Sequence, residues 1–350
     1  MTVTAPAPSP TTSEELALAE LCKRMAGPYR GADTRRSVGQ LTISAVCFVL
    51  LWAAMLWSLK VSYALTLALA IPTAGFLIRL FMIQHDCGHG SYFRSRRARD
   101  WVGFCIGVIT LIPYDYWRRT HAHHHSHSGD LGFRGFGDIK TLTVREYLAL
   151  SPLRRLAYRV YRNPLIMLGI GPSFHFLVKH RYPWDVPRSW DRAWASVWWT
   201  NAWLVGIVAL MVLTIGIKSF LLVQIPVTVL ASSIGVWLFY VQHQFEDTYW
   251  HQHEDWDFFD ASLHGSSHLD LPKPLQWMTA NIGFHHVHHL SSLIPNYKLE
   301  ACLAANPKLQ RATRIKFGDT WRLFRLALWD ENASRLIGFR ELRAAAAHVG

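Results

Sequence analysis

Four stretches of this 350-residue chain each approach the about 20 apolar residues that a helix needs to cross the hydrocarbon core of a bilayer, and they come in two pairs. The first pair runs from about Leu41 to Leu59 and from about Val61 to Ile83, with Lys60 at the turn. The second runs from about Val197 to Ile217 and from about Phe220 to Gln242, joined near Lys218. Turns this short make each pair a tight hairpin. Nearly all other Lys and Arg fall in residues 1–40, 84–196 or 243–350, so the excess of cations on cytoplasmic segments predicts that all three, and both termini, face the cytoplasm.

Composition supports the bilayer reading, with 51% hydrophobic residues, 16 tryptophans and only 17% charge. A formal charge of +12 suits an anionic lipid surface or an acidic protein partner. The cations flank apolar segments and form no recognised binding motif, which excludes nucleic acid as an expected partner. Cys22, Cys47, Cys87, Cys105 and Cys302 are odd in number and scattered, so no disulfide framework is expected and a reducing compartment is. The Pro/Ala/Thr-rich start through Thr12 lacks the pattern of a signal peptide, and residues 1–40 are expected to be a partly disordered cytoplasmic tail. The runs Trp101 to Pro113 and Asn163 to Val178 are too short to span and read as interfacial helices. No strand pattern is found. The expected fold is an all-α integral membrane protein: hairpins at 41–83 and 197–242, and a helical cap built from 84–196 and 243–350.

The 19 histidines are unevenly placed. Three dense groups, His85 and His89, then His121, His124 and His125, then His285, His288 and His289, all fall on the side expected to be cytoplasmic. Spacings of i, i+4 and, in the pattern HxxHH, i, i+3 and i+4 let a helix project these rings toward a common point. Imidazole suits Fe, Zn, Cu and Ni, and eight such ligands exceed the four positions of a structural zinc, so two metal ions are the simplest count. His243 closes the fourth span at the depth where the first group begins, and is a ninth candidate. Asp86, Asp138, Glu246 and Asp247 are placed to orient imidazoles through their second ring nitrogen. Asn281 could bond a metal-bound water or cap the third-box helix, and His268 could reach a metal. His123, His127 and His286 lie off the pattern, and isolated histidines such as His175, His180 and His348 are expected to be satisfied or solvated.

These three boxes, in this order and with these intervals, resemble the membrane fatty acid desaturase family over residues of about 40 to 325. The phrases Gln84-His85-Asp86-Cys87-Gly88-His89, Val241-Gln242-His243-Gln244-Phe245-Glu246 and Asn281-Ile282-Gly283-Phe284-His285-His286-Val287-His288-His289 look like the bacterial acyl-lipid branch, similar to Δ12 (omega-6) and Δ5 enzymes. The resemblance implies two irons held by the eight box histidines and His243, with O2 as co-substrate. It implies removal of hydrogens from adjacent methylenes of a fatty acyl lipid, acyl-CoA or acyl-ACP. His123 and His268 depart from the commonest family pattern.

No haem, dinucleotide or iron–sulfur motif is present, so electrons must come from an external donor such as ferredoxin or a b-type cytochrome. Arg94, Arg96, Arg97, Arg118 and Arg119 offer a basic face for that donor or for anionic lipid. A related di-iron hydroxylase or ketolase shares the first hydrogen abstraction and stays open as an alternative. A metal transporter would need ligands along a path across the bilayer, and a zinc hydrolase an HExxH base; neither pattern is present.

Overall fold

The computed structural model describes residues 13–134 and 137–346. The Pro/Ala/Thr stretch through Thr12, and His348, lie outside the described residues. Helix α1 spans Ser13–Ala26, and α2 (Thr34–Ser58) starts where the Asp33 carboxylate accepts from the backbone N–H groups of Arg35 and Arg36 at 3.0 and 3.2 Å. A four-residue turn leads into α3 (Tyr63–His89), and Ser58 meets Thr66 at 2.7 Å across it. Helix α3 stops at Gly90, whose φ of 83° lies in the left-handed region that glycine reaches without a Cβ penalty.

Two helices cross above this hairpin, α4 (Arg96–Ile109) and α5 (Tyr114–His127). They touch at Gly103, where a Cβ would overlap the Tyr114 ring. Short elements follow: α6 (Val144–Ala149), α7 (Pro152–Tyr161), a π-helical turn at Ile166–Ile170 and α8 (Gly171–Leu177). The second long hairpin is α9 (Asp191–Ile215) and α10 (Ile217–His243), and the remaining helices that build the site are α11 (Phe258–His264), α12 (Lys273–Met278), α13 (His285–Leu290) and α14 (Asn296–Ala305). All four hairpin helices are long and apolar enough to cross a membrane.

At about 1.5 Å per residue the 27 residues of α3 and of α10 exceed an about 30 Å hydrocarbon core, so their histidine-bearing ends rise out of it into the cap. The two helices pack on each other through Ala70, Ala74, Leu77 and Ile78 against Val223, Val227, Ala231 and Leu238. Small side chains there let the backbones approach closely.

In the described part of the N-terminal segment, Cys22, Met25 and Ala26 of α1 are buried against Leu299, Cys302 and Leu303 of α14. One expectation is corrected. Strands are present. Leu142–Thr143 (β1) pairs in parallel with Leu326–Asp330 (β4), which pairs antiparallel with Arg335–Gly338 (β5); His268–Asp270 (β2) pairs in parallel with Arg314–Lys316 (β3). They are two to five residues long, and β4 is buried at every position, so no alternation betrays them.

Candidate metal centre

Nine imidazoles meet where α3 and α10 end. In the first group, the ring nitrogens of His85 and His89 from α3, His121 and His125 from α5 and His288 from α13 lie within 4.8 Å of one another. The second, equally tight, joins His124 of α5, His243 at the end of α10, and His285 and His289 of α13. Helices α5 and α13 each serve both groups. Within HxxHH the i and i+4 residues of α5 go to the first group and its i+3 residue to the second; in α13 this allocation is reversed.

Nitrogen faces nitrogen inside each group. His121 and His125 Nε2 are 3.2 Å apart, His125 and His288 Nε2 3.1 Å, His124 and His243 Nε2 3.2 Å, and His243 and His285 Nε2 2.9 Å. Two ligands at right angles on one ion, each about 2.1 Å from it, stand about 3 Å apart. His89 Nε2 and His289 Nε2 are buried without a hydrogen-bond partner. Burial, reinforced by the neighbouring imidazoles, holds His121, His125, His285, His288 and His289 well below the ordinary histidine range. The neutral ring so favoured is the ligand form, and the donor set fits cations in both groups.

Three rings are fixed from behind. His85 Nδ1 lies 3.1 Å from Asp86 Oδ1, and Asp86 Oδ2 accepts from the backbone and side-chain N–H groups of Asn296 at 2.7 and 2.8 Å. His124 Nδ1 bonds the Asp138 carboxylate, and His243 Nδ1 donates to the Gly265 carbonyl at 2.9 Å. An acceptor at Nδ1 leaves Nε2 unprotonated and aimed into its group.

The other sequence candidates lie elsewhere. Glu246 and Asp247 are exposed, and the His268 ring packs at a tilt against Phe284 and His286, outside both groups. Asn281, at φ 60°, accepts from Gln276 at 3.2 Å and donates to the Asn296 carbonyl at 3.2 Å. Among the five arginines, Arg94, Arg96 and Arg97 are exposed. Arg118 pairs with Asp115 and Asp100 at 2.6 and 3.2 Å, and Arg119 stacks on Trp190 at 4.0 Å.

A cavity of about 690 Å³ opens beneath the imidazoles, within the about 300–1,000 Å³ of small-molecule sites. His85, His121 and His285 form its head, and Leu77, Ile78, Phe81 and Met82 of α3 face Ala231, Gly235, Leu238 and Phe239 of α10 along it. Its lining on α10 extends from Thr228 to Gln242, about 21 Å of helix at about 1.5 Å per residue. An apolar passage of this length, headed by two candidate metal groups, accommodates a flexible hydrocarbon chain. Sequence reasoning passed over His175 and His180, which the cavity brings together with Lys179, Asp185 and Tyr116. The clustering of three ionisable groups at the end of an apolar run, His175, Lys179 and His180, was the available signal.

Comparison with known proteins agrees with this geometry. Residues 58–321 match the fatty acid desaturase family. The chain is 44% identical over 324 residues to a "Fatty acid desaturase" of Bacillus subtilis (strain 168), covering 93% of this chain and 91% of that one. It is 27% identical to an "sn-1 oleoyl-lipid 12-desaturase" of Synechocystis sp., covering 65% of this chain and 64% of the relative. An "sn-1 acyl-lipid omega-3 desaturase (ferredoxin)" of the same strain is 26% identical, over 71% and 70%. The family match covers the three histidine boxes and the helices α3, α9 and α10, and the chain belongs to the fatty acid desaturase family.

Proposed function

We propose that this membrane oxidoreductase is an O2-dependent acyl-lipid desaturase of the Δ12 (omega-6) type, with one iron in each imidazole group, supplied with electrons by a separate donor. The observation that carries the reading is the convergence of two all-histidine groups on one apolar cavity between membrane helices. Two irons held there would supply the activation of O2 that no side chain provides. In balance, a –CH2–CH2– unit, O2, two electrons and two protons give –CH=CH– and two waters.

The chain's own residues do the rest. His85, His89, His121, His125 and His288 hold one metal position, and His124, His243, His285 and His289 the other. Asp86, Asp138 and the Gly265 carbonyl fix the tautomers. Leu77, Ile78, Phe81, Leu238 and Phe239 enclose the acyl segment and keep bulk water from the reacting carbons. The Δ12 position draws support from relatives of that name. The cytoplasmic placement of cap and termini rests on the distribution of cations, and Arg94, Arg96 and Arg97 suit an acidic donor; one relative's name specifies ferredoxin.

The test is expression in a host without desaturases, fed palmitate, stearate and oleate, with double bonds located by gas chromatography and mass spectrometry. A new bond at carbon 12 of oleoyl chains, together with about two irons per chain, is the expected outcome. A hydroxylated product overturns the desaturation step; one zinc per chain overturns the metal assignment.

A further inference from the structure

The cavity has a polar end that the chemistry at the imidazoles does not use. Beyond Tyr116, five residues and about 7.5 Å before His121 along α5, it is lined by His175, Lys179, His180, Trp184 and Asp185. The Tyr116 hydroxyl donates to the Asp185 carboxylate, 2.8 and 2.9 Å from its two oxygens, and Lys179 Nζ lies 2.8 Å from Asp185 Oδ2. One of the three ammonium N–H groups is thereby directed at Asp185, and two remain. His180 is 3% exposed, packed between Tyr116, His175 and Phe176, and its Nδ1 has no hydrogen-bond partner. An orphaned ring nitrogen in a cavity wall is costly unless a ligand or water meets it.

The surroundings of this end have the composition of a segment at the surface of the bilayer. Phe174, Leu177, Val178, Tyr182 and Trp184 are exposed beside it, and Tyr182 lies against Trp198 of α9 at 5.9 Å. Indole and phenol rings favour the headgroup level, and a lysine there reaches its ammonium toward phosphate. The segment is anchored to α9 by Arg181, whose guanidinium donates to Asn201 Oδ1 at 3.1 Å and whose carbonyl accepts from Asn201 Nδ2 at 2.8 Å.

We propose that Lys179 and His180, with Asp185 and Tyr116 holding Lys179 in place, form a subsite for the phosphate-bearing head of a membrane glycerolipid whose acyl chain lies in the cavity. The subsite rests on the desaturase reading and names its substrate class. Lys179 donates to a phosphate oxygen, His180 Nδ1 makes a second hydrogen bond to the head, and the acyl chain runs past Phe81 and Phe239 to the imidazoles. The substrate thus enters from the bilayer, with its head at the level where membrane lipids keep theirs.

The test is binding rather than turnover. Full-length protein in neutral detergent is titrated, against a fluorescent oleoyl probe, with dioleoyl phosphatidylglycerol, dioleoylglycerol and oleic acid. Phosphatidylglycerol is expected to bind about tenfold more tightly than dioleoylglycerol, the scale of a charge-assisted hydrogen bond. Lys179→Met should abolish that preference while leaving dioleoylglycerol binding unchanged, Lys179→Arg should retain it, and His180→Phe should reduce it about fivefold. Equal binding of the two lipids by the unaltered protein, or a preference that survives in Lys179→Met, overturns the proposal. Tighter Lys179-dependent binding of oleic acid overturns the phosphate assignment in favour of a carboxylate. Protein that binds in the expected pattern but, given iron, O2, and ferredoxin with its reductase, desaturates none of the lipids refutes the desaturase reading and leaves the subsite standing. Desaturation without the pattern does the reverse.

Discussion

The two inner membrane helices and the two outer ones obey different constraints. In their most apolar windows 56% of α3 and 33% of α10 is buried within the protein, against 17% of α2 and 6% of α9. The inner pair carries Pro72 and Pro226, lines the cavity, and ends in His85, His89 and His243. The outer pair has no internal proline, and Val49, Leu50, Val205 and Leu213 are among its exposed side chains. Lipid selects for apolarity and length, whereas the protein interior also selects shape and hydrogen-bonding partners. Hydropathy is therefore shared by all four helices, and chemistry by two.

Substitutions can break this division. The largest effect is expected from His124→Ala and His243→Ala, which should reduce product to background and remove metal from the second group, as read by product analysis and metal content. Normal turnover in His243→Ala would remove the end of α10 from the chemistry, and in His124→Ala the share of α5 in the second group. Next comes Asp138→Asn, which leaves His124 in place but weakens its hold on the tautomer; a fall of about 10–100-fold in metal affinity or activity is expected, with the protein still inserted. Gly235→Leu puts a side chain into the cavity, where a Cβ would already meet Ile78 Cδ1 at 3.6 Å. It should cut oleoyl turnover about tenfold, the scale of an overpacking cost of about 1–3 kcal/mol, with metal content unchanged. Smallest of all, Leu50→Ala and Leu213→Ala on the outer helices should shift unfolding by no more than about 0.5 kcal/mol in thermal melts of reconstituted protein. A loss comparable to that of Gly235→Leu would show that the outer pair is not a passive lipid face.

Much of this organisation was legible in the residues. The four spans stand out because a bilayer imposes a length that few soluble helices match, although the helices run further than the apolar runs, to His89 and back to Asp191, where polar residues continue them into the cap. The boxes stand out because two rings at i, i+4 share a helix face. The allocation of nine imidazoles into groups of five and four was not legible, since it depends on how α5 and α13 are turned against each other. The short strands carry too few residues to show a period. His180 reads as an isolated histidine because Tyr116, the ring it packs against, comes from α5, far back in the chain.

The first imidazole group also sets an order of events during synthesis. His85 and His89 leave the ribosome early, at the end of the first hairpin, but His288 arrives only after the second hairpin has been made. Helix α14, on which α1 packs, emerges later still. Neither five nor four imidazoles can assemble around an ion until nearly the whole chain has been made, because contacts this distant in sequence must wait for both partners. Any ion that the two groups hold therefore enters a nearly full-length chain.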